Sequence, residues 1–250
     1  MLLHYDSWIK NYSVIGNDGA FGTVRDALFD EDFWTIRYIV VKTGVLFTKE
    51  TLYISPASIE KIDIESHIIR VNISQEQAAK APLLGDEPIS RESERSFGSY
   101  YGLNPYWMGG SVWGSGMNAR GIINLHKETS LDDDVYTTER EEKKVHKAKD
   151  VIGDELATEE ESFGKIEDIL FEEDTFKVRY FIADTQRFFP RKKVLISTDW
   201  ITSVNWVTGR MEVSVTKDQI ENAPTYFPGQ PITREIEEEL YQHFLKNKYW

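Results

Sequence analysis

The chain has 250 residues, and 29 Lys and Arg against 42 Asp and Glu give it a formal charge of −13. Because affinity for nucleic acid rests on clustered cations, this balance argues against a nucleic-acid ligand. The sequence contains no Cys, which excludes disulfides, thiolate nucleophiles and Cys-ligated metals and suits the cytoplasm. With 40% hydrophobic residues, the chain has enough apolar material to bury a core.

The sequence shows neither a secretion signal nor a membrane span. Residues 1–10 lack the basic and apolar regions of a signal peptide. No run of about 18 to 20 apolar residues occurs, so no transmembrane helix is predicted, and peripheral association with a membrane stays open. We therefore expect a cytoplasmic protein.

An internal duplication organises the chain. Residues 21–29 (FGTVRDALF) return as 163–171 (FGKIEDILF), an offset of 163 − 21, or 142 residues. The alignment of 21–82 with 163–224 needs no gap, and 18 of its 62 pairs are identical. A repeat of about 100 residues has the size of a small domain rather than of a solenoid repeat. The predicted parts are a first domain at residues 1–107, a Gly/Ser-rich and then charged linker at 108–144, and a second domain at 145–250.

Each copy is predicted to consist mainly of short strands joined by turns. Apolar alternation at 24–29 and 33–41, on either side of an acidic turn, predicts a β-hairpin, and the second copy repeats it at 166–171 and 175–183. The further predicted strands are 52–55, 59–63 and 68–73 in the first copy, and 194–197, 201–205 and 211–215 in the second. About five short strands hide their edges best by closing into a small barrel.

Helix starts follow the strands in both copies. Ser74 and Thr216 each stand three residues before a Gln, the spacing of a capping box. A longer helix is predicted from Thr233, and its equivalent in the first copy covers residues 90–101.

The repeated pattern resembles the PRC-barrel family, which is named after the H subunit of the photosynthetic reaction centre. The resemblance rests on a Gly-x-Val/Ile-x-Asp-x-Leu-Phe strand, an acidic turn, an aromatic strand with Arg-Tyr, and a later Ile-Ser. It covers residues 14–82 and 151–224. It implies a mainly β fold of two tandem small β-barrels of about 80 residues each, followed by short α-helices. We expect the two barrels to be related by pseudo-two-fold symmetry.

Charged residues recur at equivalent positions in the two copies. Arg37 and Arg179 are predicted to pair with Asp26 and Asp168 across each hairpin rather than to bind an anion. Solvation rather than metal binding is predicted for the acidic runs at 30–32, 172–174 and 132–134.

No catalytic, cofactor-binding or metal site is predicted. Gly22 and Gly164 are expected to allow an unusual φ or a close approach of strands rather than to contact phosphate. No Ser-His-Asp signature occurs, and the PRC-barrel resemblance carries no shared catalytic residues. Metal-ligand spacing is lacking among His4, His67, His126, His146 and His243.

Aromatic residues follow the strands of each copy. Because Tyr and Trp dominate interface hot spots, the sequence predicts a partner-binding surface, and the alternative is that these residues cap their own barrel or the seam between the copies. The candidate partner-binding residues are Tyr101, Tyr106, Trp107, Trp113, Tyr249 and Trp250.

Three functions are compatible with these features. The leading hypothesis is a noncatalytic interaction or adaptor module that binds another protein without a cofactor. The first alternative is a role like that of the reaction-centre H subunit in electron or proton transfer at a membrane surface. The family's H subunits, however, have a membrane-spanning helix followed by one barrel, whereas this sequence has no such predicted helix and resembles two barrels. The second alternative is small-molecule binding or hydrolysis at the seam between the barrels.

Overall fold

The structure is a computed structural model, and it describes residues 1–44, 49–84, 89–123, 145–185 and 191–250. Two seven-stranded sheets form in these residues, which confirms the predicted mainly β fold with two repeated domains. No helix in the described part of the chain is long and apolar enough to cross a membrane.

Short strands make up most of the regular structure, and short helices follow them in each copy. The strands are β1 (Leu2–His4), β2 (Ser13–Ile15), β3 (Ala20–Asp30), β4 (Thr35–Thr43), β5 (Thr51–Ile54), β6 (Ile59–Asp63), β7 (Ile68–Val71), β8 (Val145–Lys147), β9 (Glu155–Ala157), β10 (Ser162–Glu172), β11 (Val178–Asp184), β12 (Lys193–Ser197), β13 (Ile201–Asn205) and β14 (Arg210–Val213). The α-helices are α1 (Gln75–Lys80), α2 (Arg91–Tyr101), α3 (Ala148–Val151), α4 (Lys217–Asn222) and α5 (Arg234–His243). A π-helix covers Tyr5–Ile9, and 3-10 turns cover Pro56–Ser58, Ala119–Ile122 and Thr198–Trp200.

The chain divides into two compact units. The first-copy unit consists of Trp8–Lys147 and Asp174–Lys177. The second-copy unit consists of Met1–Ser7, Ala148–Glu173 and Val178–Trp250. The units therefore differ from the predicted domain ranges. Met1–Ser7 belongs to the second-copy unit, and Asp174–Lys177 belongs to the first-copy unit.

The two sheets have the same topology. In the first-copy unit the strand order is β5-β4-β3-β2-β7-β6, and β8 also pairs with β3. In the second-copy unit the order is β12-β11-β10-β9-β14-β13, and β1 also pairs with β10. The pairs β2–β7 and β9–β14 are parallel, and the other strand pairs are antiparallel.

Local sequence signals set the ends of the helices. Ser74 and Thr216 form the predicted capping boxes at the starts of α1 and α4. Ser90 and Thr233 cap α2 and α5, and each side chain accepts a hydrogen bond from the backbone three residues on. The predicted hairpins also form, but β4 begins after Trp34, whose φ of 52° places it in the turn.

The described part of the predicted linker belongs to the first-copy unit. Trp113 is buried there, and its Nε1 donates a hydrogen bond to the carbonyl oxygen of Thr175 at 2.6 Å. Residues 124–144 lie outside the described residues, and they include His126 and the acidic run at 132–134.

Two equivalent glycines allow neighbouring strands to approach closely. A Cβ on Gly22 would lie 1.9 Å from the carbonyl oxygen of Lys42, and a Cβ on Gly164 would lie 2.4 Å from that of Asp184. Both distances are too short for a Cβ atom. Glycine is therefore required where β3 lies against β4 and where β10 lies against β11.

We expect Gly22→Ala to lower the free energy of unfolding by about 2–4 kcal/mol, because the methyl group must push apart two paired strands. Urea unfolding measures the loss. Gly110→Ala is the matched control, since a Cβ there would enter open space and should change stability by less than about 0.5 kcal/mol. Equal stability of the two variants would contradict this explanation.

Candidate partner-binding site

A buried carboxylate lies between α2 and β4 in the first-copy unit. Glu94 is 3% exposed, and its Oε1 accepts hydrogen bonds from the hydroxyls of Tyr38 at 3.0 Å and Tyr106 at 2.7 Å. Its Oε2 lies 2.9 Å from Nη1 of Arg91, one turn earlier on α2. Arg91 Nη1 also donates to the Tyr106 hydroxyl at 2.8 Å. Since a buried carboxylate is stable only when it is paired and hydrogen-bonded, these three partners allow Glu94 to lie in the interior.

Burial controls the protonation of this group of residues. It raises the pKa of Tyr38 and of Tyr106 well above the ordinary value, and the negative charge of Glu94 adds to the effect. Burial also raises the pKa of Glu94, although Arg91 opposes that rise. Both tyrosines therefore remain hydrogen-bond donors throughout the neutral range.

A β-bulge directs Arg37 into the same group. In the β3–β4 ladder Leu28 faces Tyr38 and Phe29 faces Ile36, so Arg37 is the extra residue of the bulge. Its guanidinium carbon lies 3.9 Å from the centre of the Tyr106 ring and 4.5 Å from that of the Trp113 ring. Within the described residues Nη1 and Nη2 of Arg37 have no hydrogen-bond acceptor, so the faces of the two rings accommodate their charge.

The predicted pairing of Arg37 with Asp26 is wrong. Arg37 Nε donates instead to Asp30 Oδ2 at 2.7 Å, because the bulge shifts the side chain toward the turn. Asp30 is therefore buried at 1% exposure, which corrects the prediction that it is solvated. Burial raises the pKa of Asp30, and the charge of Arg37 opposes the rise.

The second copy repeats the arrangement. Glu237 is 4% exposed, and its Oε1 accepts from the hydroxyls of Tyr180 and Tyr249, both at 2.7 Å. Arg234 Nη1 lies 2.9 Å from Glu237 Oε2. Burial and neighbouring charges raise the pKa of Tyr180 and Tyr249 above the ordinary value.

Arg179 takes the place of Arg37 in the second copy. It is the extra residue of the equivalent bulge, and its guanidinium carbon lies 3.8 Å from the centre of the Tyr249 ring. The predicted pairing of Arg179 with Asp168 is wrong too, since Arg179 binds Glu172 through Nε at 2.8 Å and Nη2 at 3.2 Å. The Glu172 side chain is 22% exposed and paired, so the first residue of this acidic turn is not simply solvated either.

We call these two sets of six residues the first and second Arg–Glu–Tyr clusters. The first consists of Arg37, Tyr38, Arg91, Glu94, Tyr106 and Trp107, whose ring centre lies 4.4 Å from the guanidinium carbon of Arg91. The second consists of Arg179, Tyr180, Arg234, Glu237, Tyr249 and Trp250, whose ring centre lies 4.2 Å from the guanidinium carbon of Arg234.

The six candidate partner-binding residues differ in exposure. Tyr106 and Trp113 are buried, which agrees with the alternative that they cap their own barrel. Tyr101, Trp107 and Tyr249 are half-buried, and Trp250 is 43% exposed. Partner binding by these residues stays a prediction, and Trp250 offers the most accessible ring of the six.

The sequence prediction missed the acidic and basic members of the clusters on the helices. Arg91 and Glu94 recur as Arg234 and Glu237, one residue out of the main repeat register. The signal was present in the matching Ser/Thr-Arg-Glu segments, but the pattern is that of exposed residues in the first turn of a helix. Only the fold shows that one side of the first turn faces the interior.

Three of the five histidines bind neighbours within their own unit. His4 Nδ1 lies 3.1 Å from Asp168 Oδ2, and His146 Nε2 lies 2.8 Å from Glu31 Oε2. His243 Nε2 donates to the carbonyl oxygen of Gln219 at 2.7 Å. Among the described residues no group of His, Asp and Glu is arranged to hold a metal ion.

The first-copy unit also contains an open groove of about 380 Å³. It is lined by Ala57, Ser58, Asn72, Ile73, Gln77, Tyr100, Tyr101, Leu103 and Ile123. The predicted residue Tyr101 lines this groove, and its ring packs on Phe97 with ring centres 4.9 Å apart.

Stability should fall as the pH rises above about 10. Tyr38, Tyr106 and Tyr180 ionise near pH 10 in the unfolded chain but not in the folded one, so above that pH the unfolded state binds fewer protons. We expect each tyrosine to lower the free energy of unfolding by about 1.4 kcal/mol per pH unit until it ionises in the folded state. Tyr180→Phe should therefore make the fall of the free energy of unfolding with pH less steep. Denaturant unfolding at pH 9 and 11 measures this. A flat profile would contradict the buried clusters.

Comparison with known proteins supports the repeated architecture. The family model of the PRC-barrel domain matches residues 1–78 and 143–220. A search of curated proteins found no match. The two matched segments cover more than half of the chain, and with the repeated sheets they show that the chain belongs to the PRC-barrel domain family, with two copies in tandem.

Proposed function

We propose that the chain is a noncatalytic interaction module that binds another protein through the exposed edge of the second Arg–Glu–Tyr cluster. The observation that carries the proposal is the position of Trp250. Trp250 is 43% exposed, and the guanidinium carbon of Arg234 lies 4.2 Å and the Nζ of Lys248 5.4 Å from the centre of its ring. Trp, Tyr and Arg are the residue types that most often supply interface hot spots.

The edge is held in place before any partner binds. Arg234 is fixed by Glu237 and by the Tyr249 hydroxyl, which lies 3.4 Å from its Nη1. Trp250 packs edge-to-face on Tyr241, with ring centres 5.3 Å apart. A side chain that is already ordered loses little entropy on binding, so preorganisation raises the affinity that the exposed ring can provide.

The state of the cluster carboxylates supports a noncatalytic role. Glu237 accepts two tyrosine hydroxyls and an arginine, and Glu94 does the same in the first copy. A general base must be able to reach a substrate, and Glu94 and Glu237 are only 3% and 4% exposed. These carboxylates are instead committed to holding helix, sheet and aromatic residues together.

The chemistry of the edge defines the kind of partner. A partner must offer Trp250 an apolar pocket. Arg234 and Lys248 pair with Glu237 and Glu238, and their remaining N–H groups favour carboxylates or backbone carbonyls at the rim of that pocket. The chain as a whole carries a charge of −13, which disfavours a polyanionic nucleic acid. A protein surface with a small acidic-rimmed pocket meets both conditions.

Affinity capture with chemical cross-linking tests the proposal. Trp250→Ala should reduce capture of the specific partner by about 30-fold or more, the effect of losing one hot spot. Phe227→Ala is the matched control, because Phe227 is a 63% exposed aromatic residue of the same unit outside the cluster. Trp107→Ala tests the half-buried equivalent in the first copy.

The proposal fails if wild type, Trp250→Ala and Phe227→Ala capture the same proteins equally. Thermal unfolding of each variant must accompany the capture, so that loss of binding is separated from loss of fold. An enzymatic activity of the wild-type chain would contradict the noncatalytic part, and its loss in Glu94→Gln or Glu237→Gln would contradict the structural role of these carboxylates.

A further inference from the structure

Each unit contains one strand from the part of the chain that precedes the other copy. In the second-copy unit, β1 pairs with the end of β10 through Leu2–Glu172, Leu3–Phe171 and His4–Leu170. In the first-copy unit, β8 pairs with the end of β3 through Val145–Asp30, His146–Phe29 and Lys147–Leu28. The strand that precedes each copy is thus built into the sheet of the other copy.

The two strands occupy equivalent places. Leu2 faces Glu172 as Val145 faces Asp30, and Glu172 and Asp30 are partners in the repeat. The connection to the next strand is one residue longer after β1 than after β8. A five-residue π-helix follows β1 and a four-residue α-helix follows β8, and a π turn is a usual way to absorb one extra residue.

By sequence, each of these strands belongs to the copy that follows it. The two segments matched by the family model begin at residues 1 and 143, so each includes its strand, β1 or β8. The sheets nevertheless combine β1 with the second copy and β8 with the first. This is the pattern of a strand exchange between two homologous domains, here within one chain.

The second-copy unit holds β1 by burial and by specific polar contacts. Leu3 and Tyr5 are fully buried. Asp168 binds the segment twice, through Oδ1 to the backbone N–H of Asp6 at 2.7 Å and through Oδ2 to His4 Nδ1 at 3.1 Å. The other ring nitrogen of His4 lies 2.9 Å from the Tyr226 hydroxyl. Such a pattern selects a short strand that ends at a histidine, with one apolar residue before the histidine and one after it.

We propose that β1 and β8 are exchanged donor strands, and that the second-copy unit is an acceptor site for the sequence of residues 1–7. In the intact chain its own segment fills the site. When that segment is removed, the site accepts the same segment from another copy of this chain, by β-strand addition. The proposal does not depend on the partner-binding edge at Trp250.

A peptide-binding experiment tests the acceptor site. In the chain of 250 residues, Leu3→Ser, His4→Ser and Tyr5→Ser together give a donor-null chain. We expect a fluorescent peptide of residues 1–7 to bind the donor-null chain about tenfold or more tightly than wild type, whose site is filled. The control peptide carries Leu3→Asp and Tyr5→Asp and should lose this binding. Equal binding to both chains, or indifference to the control changes, would overturn the proposal.

Disulfide trapping keeps the test independent of the stability of the donor-null chain. The sequence contains no Cys, so Leu2→Cys with Glu172→Cys in one chain allows only this bridge within a monomer. We expect it to form. Chains that carry Leu2→Cys alone and Glu172→Cys alone, unfolded and refolded together, should form interchain bridges that increase with concentration. Failure of the intrachain bridge, or no interchain bridge at any concentration, would overturn the exchange.

Discussion

The buried glutamate of each copy is the interaction on which the surrounding structure depends. Glu94 and Glu237 each bring together a helix, a central strand and a tyrosine from beyond the helix. A carboxylate loses much solvation energy in such a place, so its three partners are required rather than optional. Once they are in place, the Tyr-Trp pair that follows each helix has a fixed position.

The copies share this interaction but differ in what covers it. In the first copy Trp113 lies over Arg37, and both side chains are about 1% exposed. In the second copy the Arg179 side chain is 14% exposed and Trp250 is 43% exposed. The first cluster is thus more deeply buried than the second, although its Trp107 is half-buried. This asymmetry is the reason to place the proposed partner surface on the second copy.

Much of the fold could be predicted because local sequence patterns determine its hairpins and helix starts. The period-two alternation predicted the hairpins, and the Ser/Thr-x-x-Gln spacing predicted the capping boxes. Gly22 and Gly164 were interpreted as positions of an unusual φ or of close approach, and both lie close against a neighbouring strand. The hairpins and capping boxes depend on neighbours in sequence, and the duplication supplied each of these signals twice.

The errors concern features that local patterns do not encode. Arg37 was paired with Asp26 because a regular ladder was assumed, whereas a bulge directs it to Asp30. The exchange of β1 and β8 was missed because neither segment was predicted as a strand: each has three residues, too few to show a clear alternation, and alternation does not show which sheet a strand joins. Glu94 and Glu237 were missed because a charged residue in the first turn of a helix usually faces solvent.

Hydrogen–deuterium exchange of Glu237→Ala, measured by mass spectrometry, tests the central role of the buried glutamate most directly. We expect faster exchange in residues 244–250, because the segment loses the acceptor that holds Tyr249. Glu238→Ala is the control, since Glu238 bonds Lys248 of the same segment at 2.9 Å but at the surface, where an ion pair contributes little. Unchanged protection in Glu237→Ala, or equal loss in both variants, would contradict that role.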